Sequence, residues 1–319
     1  MPASVAPRSG AVERRLAAMG TTLSIRVESP DRARALDASE AAAREIARVE
    51  DLLSTWKPGG VLDRLNRVPA GQPIELTDEV ASLLRELRAW SSRTKGAFDP
   101  TVLPLVRAWD LRGEGRVPDE TALSRALSAT GWRGFALAEG AGYASRTRSD
   151  ASLDEGAWAK GYALDRARQE LARASVRRAT VDLGGQVMVL GASRVDIADP
   201  VERRRITGWL DVEDASVSTS GNSERFRLVA GRRIGHILDP RTGRPAPDFG
   251  SATAVAPSGL AADILSTAFF VLGPEQGLTL SGELRRAGFP NEALFLIADG
   301  GRPRAVATPG LHFHHVEER

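Results

Sequence analysis

The order of strand-like and helix-like segments constrains the fold of this chain more than any other feature. Thr21 to Val27 alternates apolar and polar residues as a strand does, and the Ala-rich stretch Asp31 to Leu53 repeats apolar residues at helical spacing. Later, strand patterns at Ala179 to Asp182 and Val187 to Leu190 flank the turn Gly184-Gly185, as in a hairpin. Because no steady βαβ rhythm emerges, we predict an α+β fold with mixed, largely antiparallel sheets and packed helices.

The length of 319 residues allows a large core. We predict one domain over residues 19–319, with room for two closely packed subdomains, and a disordered arm over residues 1–18. Further helices are predicted at Thr77 to Thr94 (with Thr77 as N-cap), Asp119 to Ala129, Trp158 to Ser175 and Leu260 to Leu272. Further strands are predicted at Trp209 to Val212, Phe226 to Val229, Ser251 to Ala256 and Ala293 to Ala298.

Composition excludes several classes of protein. Hydrophobic residues make up 42% of the chain and charged residues 26%, values typical of water-soluble globular proteins. Lys and Arg total 43 against 41 Asp and Glu, and this small excess gives no reason to expect nucleic-acid binding. The chain has no cysteine, which excludes disulfides, thiolate metal sites and thiol nucleophiles.

The sequence carries no evident targeting signal. Its first eighteen residues contain three arginines but no apolar run of about 7–15 residues, as a signal peptide has. No stretch is apolar over the length of a transmembrane helix. We therefore expect a cytoplasmic protein without membrane insertion, or a periplasmic one if a signal has been removed.

A carboxylate and a hydroxyl four residues apart are a candidate for metal binding. Asp263 and Thr267 share one face of a predicted helix, close enough to contact one ion. The pair suits a hard cation such as Mg²⁺, which prefers oxygen ligands and substrate phosphates. An Asp near a helix N-terminus more often interacts with the helix dipole, so the pair alone does not establish a metal site.

Two further motifs combine charge with glycine. The stretch Asp154 to Tyr162 contains Lys160, one of three lysines among 43 basic residues. An isolated lysine beside Gly161 fits a point-charge contact with an anion, although a surface lysine is the simpler interpretation. The turn Gly184-Gly185 permits a close ligand approach and is equally an ordinary hairpin turn.

Histidines occur in two places. His236 lies in a segment rich in turn residues, where it serves either in the core or as a proton carrier near neutral pH. His312, His314 and His315 alternate with an aromatic residue near the chain end, and we interpret them as surface residues.

Taken together and in order, these motifs resemble those of the ApbE family, the FAD:protein FMN transferases. The matching pieces are Met19-Gly-Thr21; Leu53 to Pro58 with Leu65-Asn66; Gly96 to Val102 with Pro104-Leu105 and Trp109; Asp154 to Asp165; Gly184-Gly185; Thr219 to Gly221; His236 to Pro240 with Thr242-Gly243; and Ala262-Asp263 with Ser266-Thr267 and Leu272-Gly273. Each piece is weak singly, whereas the ordered set spans nearly the whole chain and is specific.

The resemblance implies a T-fold-like α+β body that binds FAD in a cleft, with Mg²⁺ between protein and diphosphate. It implies Asp263 and Thr267 as side-chain metal ligands and Ala157 as a backbone carbonyl ligand. The residues it implies along the FAD are Met19, Trp56, Ala97, Phe98, Asp99, Asp154, Lys160 and Ile237. His236, near the reacting end, is the candidate for assisting proton removal, and Asp239 is the weaker candidate.

The reaction that the resemblance implies transfers FMN from FAD to a threonine or serine hydroxyl of a partner protein and releases AMP. The family's acceptors carry an Asp-Gly motif followed by Thr or Ser. Since this chain holds no convincing copy, we expect another protein to be the acceptor. Two alternatives stay open: an FAD diphosphatase that yields FMN and AMP, and a non-catalytic FAD-binding accessory protein.

The chain departs from the family pattern in three ways. Trp56 stands where the family usually has tyrosine, which keeps a ring for stacking, worth about 1–3 kcal/mol per base, and leaves the balance between transfer and hydrolysis open. Gly59-Gly60 replaces the common Ser-Glu. The lipoprotein cysteine and signal of many relatives are absent here, so we expect an acceptor in the cytosol or on the cytoplasmic side of a membrane.

Overall fold

The computed structural model describes residues 10–138, 142–223, 226–229 and 231–316. The helices are α1 (Arg32–Leu53), α2 (Val61–Arg67), α3 (Asp78–Arg93), α4 (Leu103–Ala108), α5 (Glu120–Ala129), α6 (Ala159–Arg173) and α7 (Gly259–Arg286). The strands are β1 (Gly10–Ala18), β2 (Thr21–Ser29), β3 (Pro73–Glu75), β4 (Phe135–Leu137), β5 (Tyr143–Arg146), β6 (Arg178–Leu183), β7 (Gln186–Leu190), β8 (Ala192–Ala198), β9 (Ile206–Glu213), β10 (Ser216–Gly221), β11 (Phe226–Val229), β12 (Arg232–Gly235), β13 (Gly250–Ala256), β14 (Glu292–Ile297), β15 (Arg304–Ala307) and β16 (Phe313–His315). The predicted α+β class is confirmed.

One large sheet organises the fold. Its strand order is β1-β2-β6-β7-β10-β13-β14-β15, and the ladders between its described strands are antiparallel, as predicted. Helices α1, α6 and α7 pack on one face of this sheet and on one another. A smaller sheet, β16-β9-β8, packs on the other face through Val189, Val217 and Leu210. The candidate site lies on the helix-covered face, where α6 and α7 meet β10.

Side-chain caps set where several helices begin, at the positions that the sequence indicates. The carboxylate of Asp31 accepts two backbone N–H groups at the start of α1, and that of Asp119 accepts one at α5. Thr77 caps α3 with its hydroxyl, as predicted. Each cap satisfies donors that the first helical turn leaves without partners.

The predicted disordered arm over residues 1–18 is wrong for its second half, because residues 10–18 form β1 and pair with β2 along their whole length. Val12 packs into the main core. Arg14 interrupts the apolar alternation in the sequence, yet its Nε donates to Ser39 Oγ of α1 at 2.7 Å. A polar residue on the inner face therefore concealed the strand pattern. Residues 1–9 lie outside the described residues.

The label α7 covers two helical segments, and the first ends at Leu272, where the sequence predicts the end of a helix. Helical residues continue to Arg286 after a break at Gly273, whose φ of 74° and ψ of 175° are not helical. Pro274 follows the break, where its fixed φ and missing N–H suit the start of a helical segment. Within the described ranges, no helix is both long enough and apolar enough to cross a bilayer.

Candidate active site

The Asp263 cluster is a group of buried and half-buried polar side chains where α7 meets β10. Its members are Asp263, Ser266 and Thr267 on α7 and Ser218 and Ser220 on β10. Asp263 is only 4% exposed, and its Oδ1 lies 3.5 Å from Ser218 Oγ. Ser220 Oγ lies 2.9 Å from Ser266 Oγ and 3.3 Å from Thr267 Oγ1. The structure thus places Asp263 and Thr267 on one helix face, against a strand that contributes two more hydroxyls.

The backbone of α6 completes the surroundings of Asp263. The Oδ2 atom of Asp263 accepts the N–H of Gly161, in the first turn of α6, at 3.0 Å. Burial raises the pKa of the Asp263 carboxyl, whereas the charge of Lys160 and the Gly161 N–H act in the opposite direction. Lys160 is therefore a described positive charge that favours the charged form of Asp263.

Two glycines allow α6 and α7 to approach this closely. A Cβ on Gly161 would lie 2.1 Å from the carbonyl oxygen of Gly259, and one on Gly259 would lie 2.4 Å from that of Gly161. Asp165 of α6 accepts the N–H groups of Gly259 and Leu260 at 2.6 and 2.9 Å, so it holds the first turn of α7. Burial raises the pKa of Asp165 to about 6 despite these two hydrogen bonds.

The donor set of the Asp263 cluster fits a hard cation. Among the described residues, Asp263 Oδ1 has only the 3.5 Å contact with Ser218 Oγ, which leaves lone pairs on a buried carboxylate. Ala157, the predicted carbonyl ligand, lies two residues before α6 and one turn before Gly161. Since the described part of the chain holds no cluster of three His, Cys, Asp or Glu, a cation here would use one carboxylate with hydroxyl, carbonyl and substrate oxygens. Mg²⁺ accepts this kind of set.

The Trp56 rim is a second polar group, closer to solvent, formed by Thr55, Trp56, Arg112, Asp154 and Glu155. Trp56 is 67% exposed, and the Arg112 guanidinium carbon lies 4.3 Å from the centre of its ring. Arg112 Nη2 donates to Thr55 Oγ1 at 2.7 Å and to Asp154 Oδ2 at 2.6 Å. Glu155 accepts from the Thr55 N–H and hydroxyl, and burial together with the Asp154 charge raises the Glu155 pKa.

The segment of Ala97, Phe98 and Asp99 reaches the rim through its backbone. The Asp154 N–H donates to the carbonyl of Pro100 at 2.6 Å. Ala97 and Phe98 are 1% and 2% exposed, so their side chains belong to the core. Asp99 Oδ1 accepts the N–H and hydroxyl of Thr101, and burial raises the Asp99 pKa.

Met19 lies in the tight turn between β1 and β2. Its φ of 50° and that of Gly20, 71°, are the left-handed values that a two-residue type I′ hairpin turn requires. The Met19 N–H donates to Glu50 Oε2 at 2.8 Å, and Lys57 Nζ lies 2.9 Å from the same carboxylate. The predicted Met19 position is therefore fixed by α1 and by the segment that carries Trp56.

The Gly184-Gly185 turn between β6 and β7 lies beside this hairpin. A Cβ on Gly184 would lie 2.5 Å from Thr21 Oγ1, so a side chain is excluded there. Gln186 follows the turn and donates from Nε2 to the carbonyl of Gly259 at 3.0 Å. The two turns thus connect the Met19 region with the first turn of α7.

His236 follows β12 and is half-buried. The preceding Gly235 packs against Asn222, since a Cβ there would lie 2.4 Å from the Asn222 amide nitrogen. Asn222 directly follows β10, the strand that carries Ser218 and Ser220. The chain order and this contact place the residue before His236 at the end of β10, the strand that carries Ser218 and Ser220.

The residues that follow His236 have different surroundings: Ile237 lies in the core, and Asp239 contacts an arginine. Ile237 is buried in the main core. Both oxygens of Asp239 are engaged by Arg241, whose Nε and Nη2 donate at 2.9 and 2.8 Å. The Arg241 side chain in turn lies against Gly96, which connects the histidine segment to the Ala97 segment. Both carboxylate oxygens of Asp239 are thus occupied by one guanidinium.

The sequence analysis assigned no role in the site to two serines of the Asp263 cluster or to two charged residues of the Trp56 rim. Ser218 and Ser220 alternate on a strand and therefore share a face, a pattern that was visible beside the Thr219 to Gly221 motif. Arg112 and Glu155 gave no such signal, because Arg112 contacts residues 42 and 57 positions away in the chain.

A groove of about 930 Å³ lies elsewhere, on the outer face of the large sheet beside β8 and β9. The described residues that line it include none of the predicted site residues. Its arginines are largely paired, for example Arg26 with Glu13 at 3.1 Å. Volume alone therefore does not locate the candidate site.

The family model described as the ApbE family matches residues 19–288. A protein of Rhodobacter capsulatus named FAD:protein FMN transferase is 33% identical over 83% of this chain, which spans 52% of that protein. One of the same name from Treponema pallidum (strain Nichols) is 32% identical over 92% of this chain and 85% of its own length. The crystal structure of an ApbE protein from Thermotoga maritima superposes with a TM-score of 0.83 at 30% identity, covering 92% of this chain and 96% of that one. The predicted ApbE-like architecture is confirmed.

Proposed function

The chain belongs to the ApbE family, and on this premise we propose that it transfers FMN from FAD to a threonine or serine hydroxyl of an acceptor protein, with release of AMP. The name FAD:protein FMN transferase, carried by relatives over most of this chain, supports the proposal. The observation that carries it is the Asp263 cluster: a buried carboxylate among hydroxyls, with Lys160 close by, is suited to a charged diphosphate and its counter-ion.

In this proposal Asp263, Thr267 and the carbonyl of Ala157 hold Mg²⁺. The ion supplies positive charge against the diphosphate, which is the main requirement of phosphoryl transfer. Lys160 adds a second positive charge at the same place. Ser218 and Ser220 orient the Asp263 and Thr267 side chains from the strand.

The FAD lies between the Asp263 cluster and the Trp56 rim in this proposal. Trp56 offers a ring, and Asp154 a carboxylate beside it. Backbone groups of Met19 and of the Ala97 to Asp99 segment contact the dinucleotide, because the Ala97 and Phe98 side chains are in the core. Ile237 closes the reacting end from the core side.

His236 assists the loss of the acceptor proton. The acceptor oxygen attacks the FMN-side phosphorus, the bond from that phosphorus to the bridging oxygen breaks, and AMP leaves. The hydroxyl proton passes to His236, whose ordinary pKa lies near neutrality. Asp239 is engaged by Arg241, so we assign it to positioning the histidine segment rather than to proton transfer.

The test mixes the protein with FAD, Mg²⁺ and a domain bearing the Asp-Gly acceptor motif. We expect a fluorescent adduct that survives denaturation and an intact mass increased by FMN minus water. EDTA, or replacement of the acceptor threonine by alanine, should abolish the labelling. Adduct formed without the hydroxyl would contradict the proposal, and FMN with AMP but no adduct would establish the diphosphatase instead.

A further inference from the structure

Arg112 covers one face of an exposed tryptophan. Its guanidinium carbon lies 4.3 Å from the centre of the Trp56 ring, a stacking distance. The Arg112 side chain is 24% exposed, whereas Trp56 is 67% exposed. The guanidinium therefore lies on the protein side of the ring, and the other face of the ring is turned towards solvent.

Three partners fix the Arg112 guanidinium. Nη2 donates to Thr55 Oγ1 and Asp154 Oδ2, and it lies 3.6 Å from Glu155 Oε2. The backbone of its loop is held as well, since Arg227 Nη2 donates to the carbonyl of Leu111 at 3.0 Å. A planar cation held by several oxygen acceptors loses little further entropy when a ligand arrives.

A second arginine-tryptophan stack shows what is unusual here. Arg194 lies 4.2 Å from the centre of the Trp209 ring, and His314 stacks on the same ring at 5.1 Å with an interplanar angle of 10°. Strands β8 and β16 flank β9 on opposite sides, so these two residues approach Trp209 from opposite sides. The Trp209 ring is filled on both sides, whereas the Trp56 ring has one open face.

Charge gives Arg112 a second effect. Asp154 and Glu155 are adjacent carboxyl groups beside the proposed path of an anionic dinucleotide. Two unpaired carboxylates would repel that ligand, and Arg112 contacts both of them. Removing the guanidinium would therefore have two effects. The Trp56 ring would lose its support, and the two carboxylates would repel the anionic ligand.

We propose that Arg112 is a positioning residue for FAD: it holds the Trp56 ring as a platform whose open face receives a flat ring of the dinucleotide, and it neutralises the Asp154 carboxylate beside it. This inference rests on the proposed function, because it takes FAD as the ligand. The residue does not touch the reacting phosphorus.

The test is a fluorescence titration of FAD with Arg112→Gln, Arg112→Lys and the matched control Arg194→Gln. We expect the Kd for FAD to rise about tenfold in Arg112→Gln, in line with the loss of a base-stacking platform. Arg112→Lys keeps the charge but not the planar stack, so its Kd should lie between those of Arg112→Gln and wild type. Arg194→Gln should bind FAD as wild type does, because its stack lies outside the site.

A double-mutant cycle separates positioning from a general structural effect. If Arg112 acts through the ring, the loss of FAD affinity in Trp56→Ala combined with Arg112→Gln should be smaller than the sum of the two single losses, and the loss beyond Trp56→Ala alone measures the repulsion by Asp154. At saturating FAD, kcat of Arg112→Gln should stay within about threefold of wild type while KM rises. Additive losses, or an unchanged Kd in both Arg112 variants, would overturn the inference.

The same measurements separate this inference from the proposed function. FAD binding is measured without acceptor, so failure of wild type to form an adduct would refute the transferase while a weaker FAD complex in Arg112→Gln still supported the platform. Adduct formation by wild type with unchanged FAD binding in both Arg112 variants would refute the platform alone. A thermal unfolding midpoint within a few degrees of wild type is required of each variant, and Arg112→Lys serves if Arg112→Gln does not fold.

Discussion

The Asp263 cluster and the Trp56 rim are the two polar groups of the proposed site, and their carboxylates differ in the cations that lie beside them. At the rim, Arg112 contacts both carboxylates at short distance, and the aromatic ring faces solvent. In the cluster, a nearly inaccessible carboxylate has hydroxyl and amide neighbours and no described guanidinium. The two carboxylates of the rim thus have a guanidinium beside them. The cluster holds a charge that its own side chains stabilise only in part.

This difference indicates different roles for the Asp263 cluster and the Trp56 rim. Burying a carboxylate whose charge is only partly compensated costs several kcal/mol, and such a group persists where a ligand or ion completes its surroundings. Paired charges near the surface contribute little to stability but hold side chains in fixed orientations. We therefore assign phosphoryl chemistry to the cluster and orientation of the dinucleotide to the rim.

The largest effect is expected from Asp263→Asn. This change keeps the size of the side chain and removes its charge, so kcat should fall by about 10³-fold, since metal stabilisation of phosphoryl charge is worth several kcal/mol. The thermal midpoint should stay equal or rise, because the desolvation of a carboxylate is relieved. Asp199→Asn is the control: that carboxylate is as buried but paired with Arg205 at 2.6 Å, and its loss should lower the midpoint without lowering kcat. Activity of Asp263→Asn within a few-fold of wild type would refute the metal assignment.

The second effect concerns Asp165, which supports the cluster by holding the first turn of α7. Its folded pKa of about 6 lies above the ordinary value of 3.8, so folding favours its protonated form. The stability that it contributes is full below pH 4 and is lost as pH rises through 6. Relative to Asp165→Asn, the unfolding free energy of wild type should therefore fall by roughly 2 kcal/mol between pH 4 and pH 7. Denaturant titrations at several pH values measure this difference, and a pH-independent difference would contradict the raised pKa.

The third prediction tests whether His236 takes the proton of the acceptor hydroxyl. His236→Ala should lower kcat by about 10²-fold, a typical contribution of a general base, and should leave the Kd for FAD nearly unchanged. Single-turnover transfer to the acceptor domain measures the rate. An unchanged rate with a lowered thermal midpoint would show that His236 is a core histidine.

The smallest effect tests the rim alone. Trp56→Ala should raise the Kd for FAD by about tenfold, the loss of one stacked base, with kcat close to wild type at saturation. Equilibrium titration with FAD gives the constant, and riboflavin, which lacks the diphosphate, should bind wild type more weakly than FAD does. A Kd that Trp56→Ala leaves unaltered would remove this ring from the site.

Much of the fold follows from local sequence. The strand β2, the helix α1 and the N-cap at Thr77 rest on short-range periodicity and capping, which the sequence shows directly. The pair Asp263 and Thr267 likewise follows from helical spacing. The strand β1 escaped prediction because its inner face carries Arg14, whose partner Ser39 is distant in the chain. Arg112 escaped for the same reason: its role depends on Thr55 and Asp154, and no local pattern records contacts of that range.

The meeting of α6 and α7 at Gly161 and Gly259 has a consequence for how the chain is made. Residues on either side of the Asp263 cluster come from positions about a hundred apart, so the cluster does not exist while the ribosome has delivered only the first 258 residues. A nascent chain of that length has β10 and α6 but lacks the helix that bears the carboxylate. Under the proposed function, a nascent chain can therefore bind the dinucleotide through this cluster only after α7 has been made and has packed on α6 and β10.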